Sequence, residues 1–201
     1  MRFVPRAVAG HNAPVTAPHV FPDVVITTDR LVLRPFRSSD AAAAYAAAND
    51  PVTQKWLPLP RPYTREVAAD WVDRLSHQIR ESGDGVVRAI EADGELAGCI
   101  DLKHTDWESR VTEIGYWSSP GWRGKGVMTE AAAGLARWAL AEAGFERIEI
   151  RVAPGNAASL RVAEKAGFVR EGVARNAGYT HDGRTDLVIF SLIPADLQRS
   201  A

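Results

Sequence analysis

Residues 118–126 (SSPGWRGKG) constrain this chain more than any other stretch. They include Pro120, Gly121, Gly124 and Gly126, so no strand continues through them. The preceding residues, 113–117, carry Ile114, Tyr116 and Trp117, a strand composition. From Val127 the period turns helical: Met128, Ala131, Ala132, Leu135, Trp138 and Ala139 fall on one stripe, and Gly144 is a stop. Strand, glycine-rich loop and helix start, in that order, aim free backbone N–H groups and the positive end of a helix dipole at one spot. That geometry holds phosphate. Arg123 and Lys125 add charge of the right sign. An ordinary surface turn has the same composition, so the loop needs support from elsewhere in the chain.

Two phosphate loops are excluded by spacing. A mononucleotide loop needs Ser or Thr after its lysine, and here Gly126 follows Lys125. A dinucleotide loop needs a third glycine where this chain has Thr129. The next segment supplies the support. Residues 147–152 alternate with Ile148, Ile150 and Val152 on one face and read as a strand. Pro154 and Gly155 turn the chain, Asn156 is a good N-cap, and residues 157–166 form a helix ended by Gly167.

Arg123-Gly-Lys-Gly126-Val-Met128 resembles the pyrophosphate loop of the GNAT superfamily of acyl-CoA N-acyltransferases, written [QR]-x-x-G-x-[GA]. Met128 departs from the small final residue and matches the branch that acetylates ribosomal-protein N-termini. Asn156, Ser159, Lys165, Gly167 and Phe168 resemble the N-x-x-S…K-x-G-F segment of that branch. The two motifs occur in the right order, each after a strand. The resemblance covers residues 26–193, nearly the whole chain.

Composition narrows the remaining choices. With 46% apolar residues among 201, the chain has material for one domain with a substantial core. A net charge of −1 gives no case for nonspecific nucleic-acid binding or an anionic membrane surface. A single cysteine, Cys99, excludes an intrachain disulfide framework. The five histidines form no close pair and have no Cys partner, so no metal is expected. No apolar run approaches transmembrane length, and residues 1–24 lack a signal-peptide core. A cytoplasmic protein is the default.

In chain order, residues 1–24 read as a flexible or draped leader and 25–201 as one domain. Residues 28–36 read as a first strand and 41–48 as an alanine-rich helix ended by Asn49-Asp50-Pro51. Residues 52–63 read as irregular: either a surface loop with a tucked aromatic or, as the resemblance implies, one wall of an acceptor pocket. Thr64 caps a second helix to about Arg80. Residues 86–90 and 95–102 form a hairpin about Asp93-Gly94, and a second turn at 107–110 leads to the strand before the loop. Residues 168–174 and 185–193 read as two final strands. The order β-α-α-β-β-β-α-β-α-β-β fits the fold the resemblance implies, an α/β (α+β) arrangement. That GNAT fold is a mixed, strongly twisted sheet of about seven strands with helices on both faces.

Acyl transfer from a thioester to an amine needs a deprotonated amine, a stabilised oxyanion, a stabilised thiolate and alignment, but no enzyme nucleophile. Cys99, mid-strand between Gly98 and Ile100, reads as core packing rather than as a nucleophile. The resemblance implies that acetyl-CoA is the co-substrate and gives its site. Backbone groups at Tyr116, Trp117 and Ser118 would line the pantetheine arm. The N–H groups of Arg123, Gly124, Lys125, Gly126, Val127, Met128 and Thr129 would hold the pyrophosphate. Asn156 would bond the pantetheine amides, and Arg161 and Lys165 are candidates for the outer phosphate or plain solvated helix charges. Where many relatives place a tyrosine as acid, this chain has Ala163. Ser159 is the available hydroxyl, either as the group assisting thiolate departure or as a first-turn serine bonding Asn156 or the backbone. Glu113 is the carboxylate best placed to serve as base, or else a glutamate paired with Arg110 or Arg151. Alternation puts Glu113, Gly115 and Trp117 on one face of the strand, where Gly115 would leave room for the acyl group.

The expected activity is therefore acetyl-CoA-dependent N-acetylation of a peptide α-amine or a small primary amine. Another acyl donor such as succinyl-CoA, or a non-catalytic acyl-CoA sensor, would use the same fold. A homodimer is expected from the family habit and the six tryptophans.

Overall fold

The structure, a computed structural model, describes residues 19–198. Its centre is one eight-stranded sheet with the order β1-β2-β3-β4-β5-β6-β8-β7. The strands are β1 (Ile26–Thr27), β2 (Val32–Arg34), β3 (Val86–Ala92), β4 (Glu95–Asp106), β5 (Val111–Ser118), β6 (Arg147–Val152), β7 (Val169–Thr180) and β8 (Gly183–Leu192). Every neighbouring pair is antiparallel except β5–β6.

The mixed sheet agrees with the sequence reading, but the count is eight rather than about seven. The single strand expected over 28–36 is a small hairpin. Thr28 N–H donates to Leu31 O at 3.0 Å, and Leu31 N–H donates to Thr28 Oγ1 at 3.2 Å. This turn takes Asp29 and Arg30 out of the ladder and leaves Ile26 to pair with Leu33. At the other end, β7 and β8 run further than expected, to a tight turn at Gly183 (φ 107°). Their alternation is broken by register shifts at Arg170/Gly172 and Ala174/Gly178, which hides the strands from a period-two reading.

Helices cover both faces. The alanine-rich α1 (Ala41–Ala48) buries Ala44, Ala47 and Ala48, whose small side chains let it sit close to α3 (Arg65–Asp70). The second expected helix is α3, a π turn at Trp71–Leu75, and α4 (Ser76–Ser82), closed by Gly83 in the left-handed conformation. On this face Phe36, Val72, Val87, Leu96 and Cys99 form a core, which confirms Cys99 as a packing residue. On the other face α5 (Val127–Ala141) buries its expected stripe of Met128, Ala131, Ala132, Leu135, Trp138 and Ala139 against Ile100, Ile114, Ile148 and Phe190. The helix α6 (Ala157–Lys165) follows β6, and a last turn, α7 (Pro194–Leu197), closes the domain. No helix among the described residues is long and apolar enough to cross a membrane.

Besides the last turn α7, one helix was missed. Residues 52–56, within the stretch 52–63 expected to be irregular, belong to α2 (Pro51–Trp56). Asp50 caps it by accepting from Val52 N–H at 3.0 Å and Thr53 N–H at 3.1 Å, and Pro51 occupies the first helical position. Asp-Pro is a start signal as well as a stop. Of the leader, residues 1–18 lie outside the described residues. Phe21 is buried, with its ring 4.7 Å from Trp107 and 5.8 Å from Phe145.

Candidate functional site

Strands β5 and β6 start side by side and separate. They pair only at Val111↔Arg147, Thr112↔Ile148 and Glu113↔Glu149. Past that point β5 continues to Ser118 and β6 to Val152 with no shared register. A cavity of about 650 Å3 opens there. Gly115, Tyr116, Trp117 and Ser118 line one edge, and Ile150, Arg151 and Val152 the other.

The glycine-rich loop closes one end. Gly124 (φ 75°) and Gly126 (φ 79°) hold left-handed backbone, and Gly126 caps α5 with no side-chain hydrogen bond. Glu130 N–H is the first returned to the helix, to Gly126 O at 3.1 Å. The N–H groups of Val127, Met128 and Thr129 therefore have no partner within the helix. Add the dipole, equivalent to about half a positive charge, and this end of the cavity suits a pyrophosphate. Val127 and Met128 are buried, so what they offer a ligand is backbone. The Met128 side chain packs against Gly98, where a Cβ would lie 3.3 Å from its Cε.

The loop is held from both sides by groups that sequence reading missed. Arg123 pairs with Asp50, the α2 cap, and donates to Thr53 Oγ1 at 3.1 Å. That pairing holds Asp50 below the usual carboxylate range. From the β1–β2 turn, Arg30 donates to Lys125 O at 3.2 Å and pairs with Glu130 at 2.6 Å. Arg123 thus spends its charge on Asp50, and Lys125 places Nζ 4.6 Å from the Trp122 ring centroid, outside the cavity lining. The charge expected from these two side chains is replaced by backbone. Among the described residues Arg161 and Lys165 line the cavity without an ion pair, which leaves them open to an anion.

Helix α6 brings Asn156 and Ser159 to the wall. Asn156 Oδ1 accepts from Ser159 N–H at 3.1 Å, and its amide nitrogen remains to donate to a ligand. Ser159 Oγ lies 2.8 Å from the hydroxyl of Tyr116 across the gap. Burial pushes that phenol up to about 12, against a smaller downward pull from Ser159. Ala163 is fully buried in the core and offers no hydroxyl.

Glu113 lines the cavity with its side chain 14% exposed, beside Lys103 Nζ (3.3 Å), His104 Nδ1 (3.5 Å) and Arg151 Nε (3.6 Å). Of the two partners expected, Arg151 is present and Arg110 instead reaches Glu146. Gly115 was expected to leave room for the acyl group, but no open slot stands over it. A Cβ there would be 2.8 Å from both Asp101 Oδ1 and Lys103 Nζ. Asp101 was also missed: burial pushes its carboxyl up, with Lys103 opposing. The far wall of the cavity is α2 and the residues after it, Trp56, Leu57 and Pro58, with Trp56 Cη2 packed 3.1 Å from where a Gly155 Cβ would stand.

The sequence profile described as "Acetyltransferase (GNAT) domain" matches residues 30–169. The chain belongs to the GNAT acetyltransferase family. Within the GNAT family it is 38% identical to YdaF of Bacillus subtilis (strain 168), a provisionally named ribosomal N-acetyltransferase, over 65% of this chain and 69% of that one. It is 28% identical to the [ribosomal protein uS5]-alanine N-acetyltransferase of Escherichia coli (strain K12), over 77% and 83%. Among solved structures, RimL, a ribosomal L7/L12 α-N-protein acetyltransferase in complex with coenzyme A, superposes with a TM-score of 0.76 at 22% identity, over 85% of this chain and 98% of that one. At that identity the likeness is one of fold. As a GNAT enzyme the chain is an acetyl-CoA-dependent acyltransferase. Among the described residues no group of His, Cys, Asp and Glu is arranged to hold a metal ion.

Proposed function

We propose that this GNAT enzyme transfers the acetyl group of acetyl-CoA to the α-amine of a peptide or protein N-terminus. The observation that carries the reading is the divergence of β5 and β6 over a cavity lined by the glycine loop and by an aromatic wall. The pyrophosphate sits on the N–H groups of residues 124–129, since the Arg123 N–H expected with them already donates to Pro120 O at 3.3 Å, and the arm lies along the β5 edge from Ser118 toward Gly115. Asn156 donates to the arm, and Arg161 and Lys165 meet the outer phosphate. The amine enters past Trp56, Leu57 and Pro58. The names of YdaF and of the uS5-alanine enzyme support a protein acceptor.

The amine must be neutral to attack. An α-amine has a pKa near 8 and a lysine amine about 10.4, so at pH 7 roughly 10% of the first and under 0.1% of the second is neutral. An α-amine needs only one carboxylate, reached directly or through water. Glu113 fills that role, beside Lys103 and Arg151. Ser159 faces the departing sulfur. A panel of N-terminal peptides and small amines, scored for release of free thiol from acetyl-CoA, tests the reading. Acetyl-CoA binding with no thiol release above background for any amine would make the protein a sensor. Preference for a small amine would remove the protein acceptor. A homodimer forms part of the proposal, and a monomer mass by light scattering across a wide concentration range would remove it.

A further inference from the structure

The wall shared by β5 and α6 contains a hydroxyl pair whose two members come from opposite sides of the gap. Tyr116 and Ser159 both line the cavity, 43 positions apart in the chain, with their oxygens 2.8 Å apart. The Ser159 residue is fixed by its N–H bond to Asn156 Oδ1 at 3.1 Å. The Tyr116 hydroxyl also lies 3.3 Å from the Ser159 carbonyl oxygen, so its one hydrogen faces two acceptors on Ser159, of which Oγ is the nearer. A serine hydroxyl has one hydrogen and two lone pairs. When Tyr116 donates into one lone pair, the seryl hydrogen is left for a third group, and the space on that side is the cavity.

We propose that Tyr116 is a positioning residue: it donates to Ser159 Oγ and so directs the Ser159 hydrogen at the sulfur of the departing coenzyme A. The inference rests on the acetyltransferase reading above. As the tetrahedral intermediate collapses, the C–S bond breaks and its electron pair goes to sulfur. The new thiolate accepts a hydrogen bond from Ser159, whose oxygen accepts one from Tyr116. Chained donors of this kind polarise one another, so the seryl O–H binds the anion more strongly than an isolated hydroxyl. No proton crosses the pair. Burial holds the phenol near 12, and a thiol titrates near 8.5, so full transfer from Tyr116 would run uphill. The thiolate takes its proton from water on release, and the proton lost by the acceptor nitrogen leaves through Glu113.

The test is a double-mutant cycle on acetyl-CoA turnover with the acceptor that the wild type uses fastest. Tyr116→Phe keeps the ring and removes the donor. It should lower kcat on the order of 3- to 30-fold and move the KM for acetyl-CoA less than about twofold. Ser159→Ala should lower kcat by about 10- to 1,000-fold. In the Ser159→Ala background, Tyr116→Phe should cost less than about twofold more, because its route to sulfur is gone. A ring-carbon NMR titration of the free protein gives a readout without turnover: Ser159→Ala should move the Tyr116 titration further upward. Equal loss from Tyr116→Phe in both backgrounds, a change confined to KM, or an unmoved Tyr116 titration overturns the proposal while leaving the acetyltransferase reading intact. A wild type that releases no thiol with any amine overturns both.

Discussion

At Gly126 the backbone sits at φ 79°, the point where the loop hands over to α5. Asparagine tolerates left-handed backbone better than other residues with a side chain. Gly126→Asn therefore adds side-chain atoms at the loop, its Cβ 3.4 Å from Arg30 Nη2, with less backbone strain than other substitutions. Calorimetry should show acetyl-CoA binding weakened on the order of tenfold or more. Unchanged affinity in a folded variant would mean the pyrophosphate lies elsewhere. Glu113 poses a second question, since it lies beside Lys103, His104 and Arg151 and also faces the cavity. Glu113→Gln keeps its shape and removes the base. The loss in kcat/KM should be largest at low pH and shrink as pH rises and the amine deprotonates unaided. A wild-type pH–rate profile in the variant would move the role to Asp101, the neighbouring carboxylate behind Gly115.

Among the elements, α2 joins the two halves of the site. Its cap, Asp50, is also the partner of Arg123 at the start of the phosphate loop, so one carboxylate sets both the loop and the wall carrying Trp56. Asp50→Ala should cost about 1–2 kcal/mol in urea unfolding from the lost cap and raise the KM for the acceptor. Asp50→Asn keeps a capping oxygen and loses the ion pair, so it should recover most of the stability but not the KM. If both variants behave alike, the Arg123 pair has no part in shaping the wall. Such elements also mark what a linear reading can reach. The loop, α5, Asn156 and Ser159 were legible because their signals are local: glycines at a strand end, an apolar stripe, a cap three residues before its hydroxyl. The missing members of the site all arrive from far along the chain. Tyr116 was taken only as a backbone neighbour of the arm because its partner is 43 positions away, and Arg30 was not considered because Glu130 is 100 away. The α2 cap was read as an end because Asp-Pro serves either purpose, and only the following turn decides between them.

Across the whole molecule, the response to acid follows from where the carboxylates sit. Asp40, paired with Arg34 at 2.7 Å in the interior, is held below its usual range: burial opposes its charge, and the Arg34 hydrogen bond overcomes that. Glu171 is lowered to about 2 by Arg147, helped by Ser191. Groups whose value falls on folding lend stability that is complete above the unfolded value near 4 and lost as pH falls through the folded one. The urea midpoint should thus fall from pH 4 toward pH 2. Glu171→Gln should flatten that fall while costing less than about 1 kcal/mol at pH 7, since its side chain is 42% exposed. A slope as steep as wild type would show that the Arg147 pair does not form in solution. Asp101 runs the other way: raised by burial, it lends stability that declines as pH rises above the ordinary carboxylate range.

The parting of β5 from β6 has a consequence of its own. A sheet that parts in its interior leaves two rims of amides with no rung between them, while the two halves stay joined at Val111–Glu113. A slender ligand carrying its own amide groups can supply those rungs, and on the proposed binding mode the arm of acetyl-CoA would do so. Hydrogen exchange should then slow on acetyl-CoA binding along the facing rims of β5 and β6 and at the start of α5, with β2 and β3 unchanged.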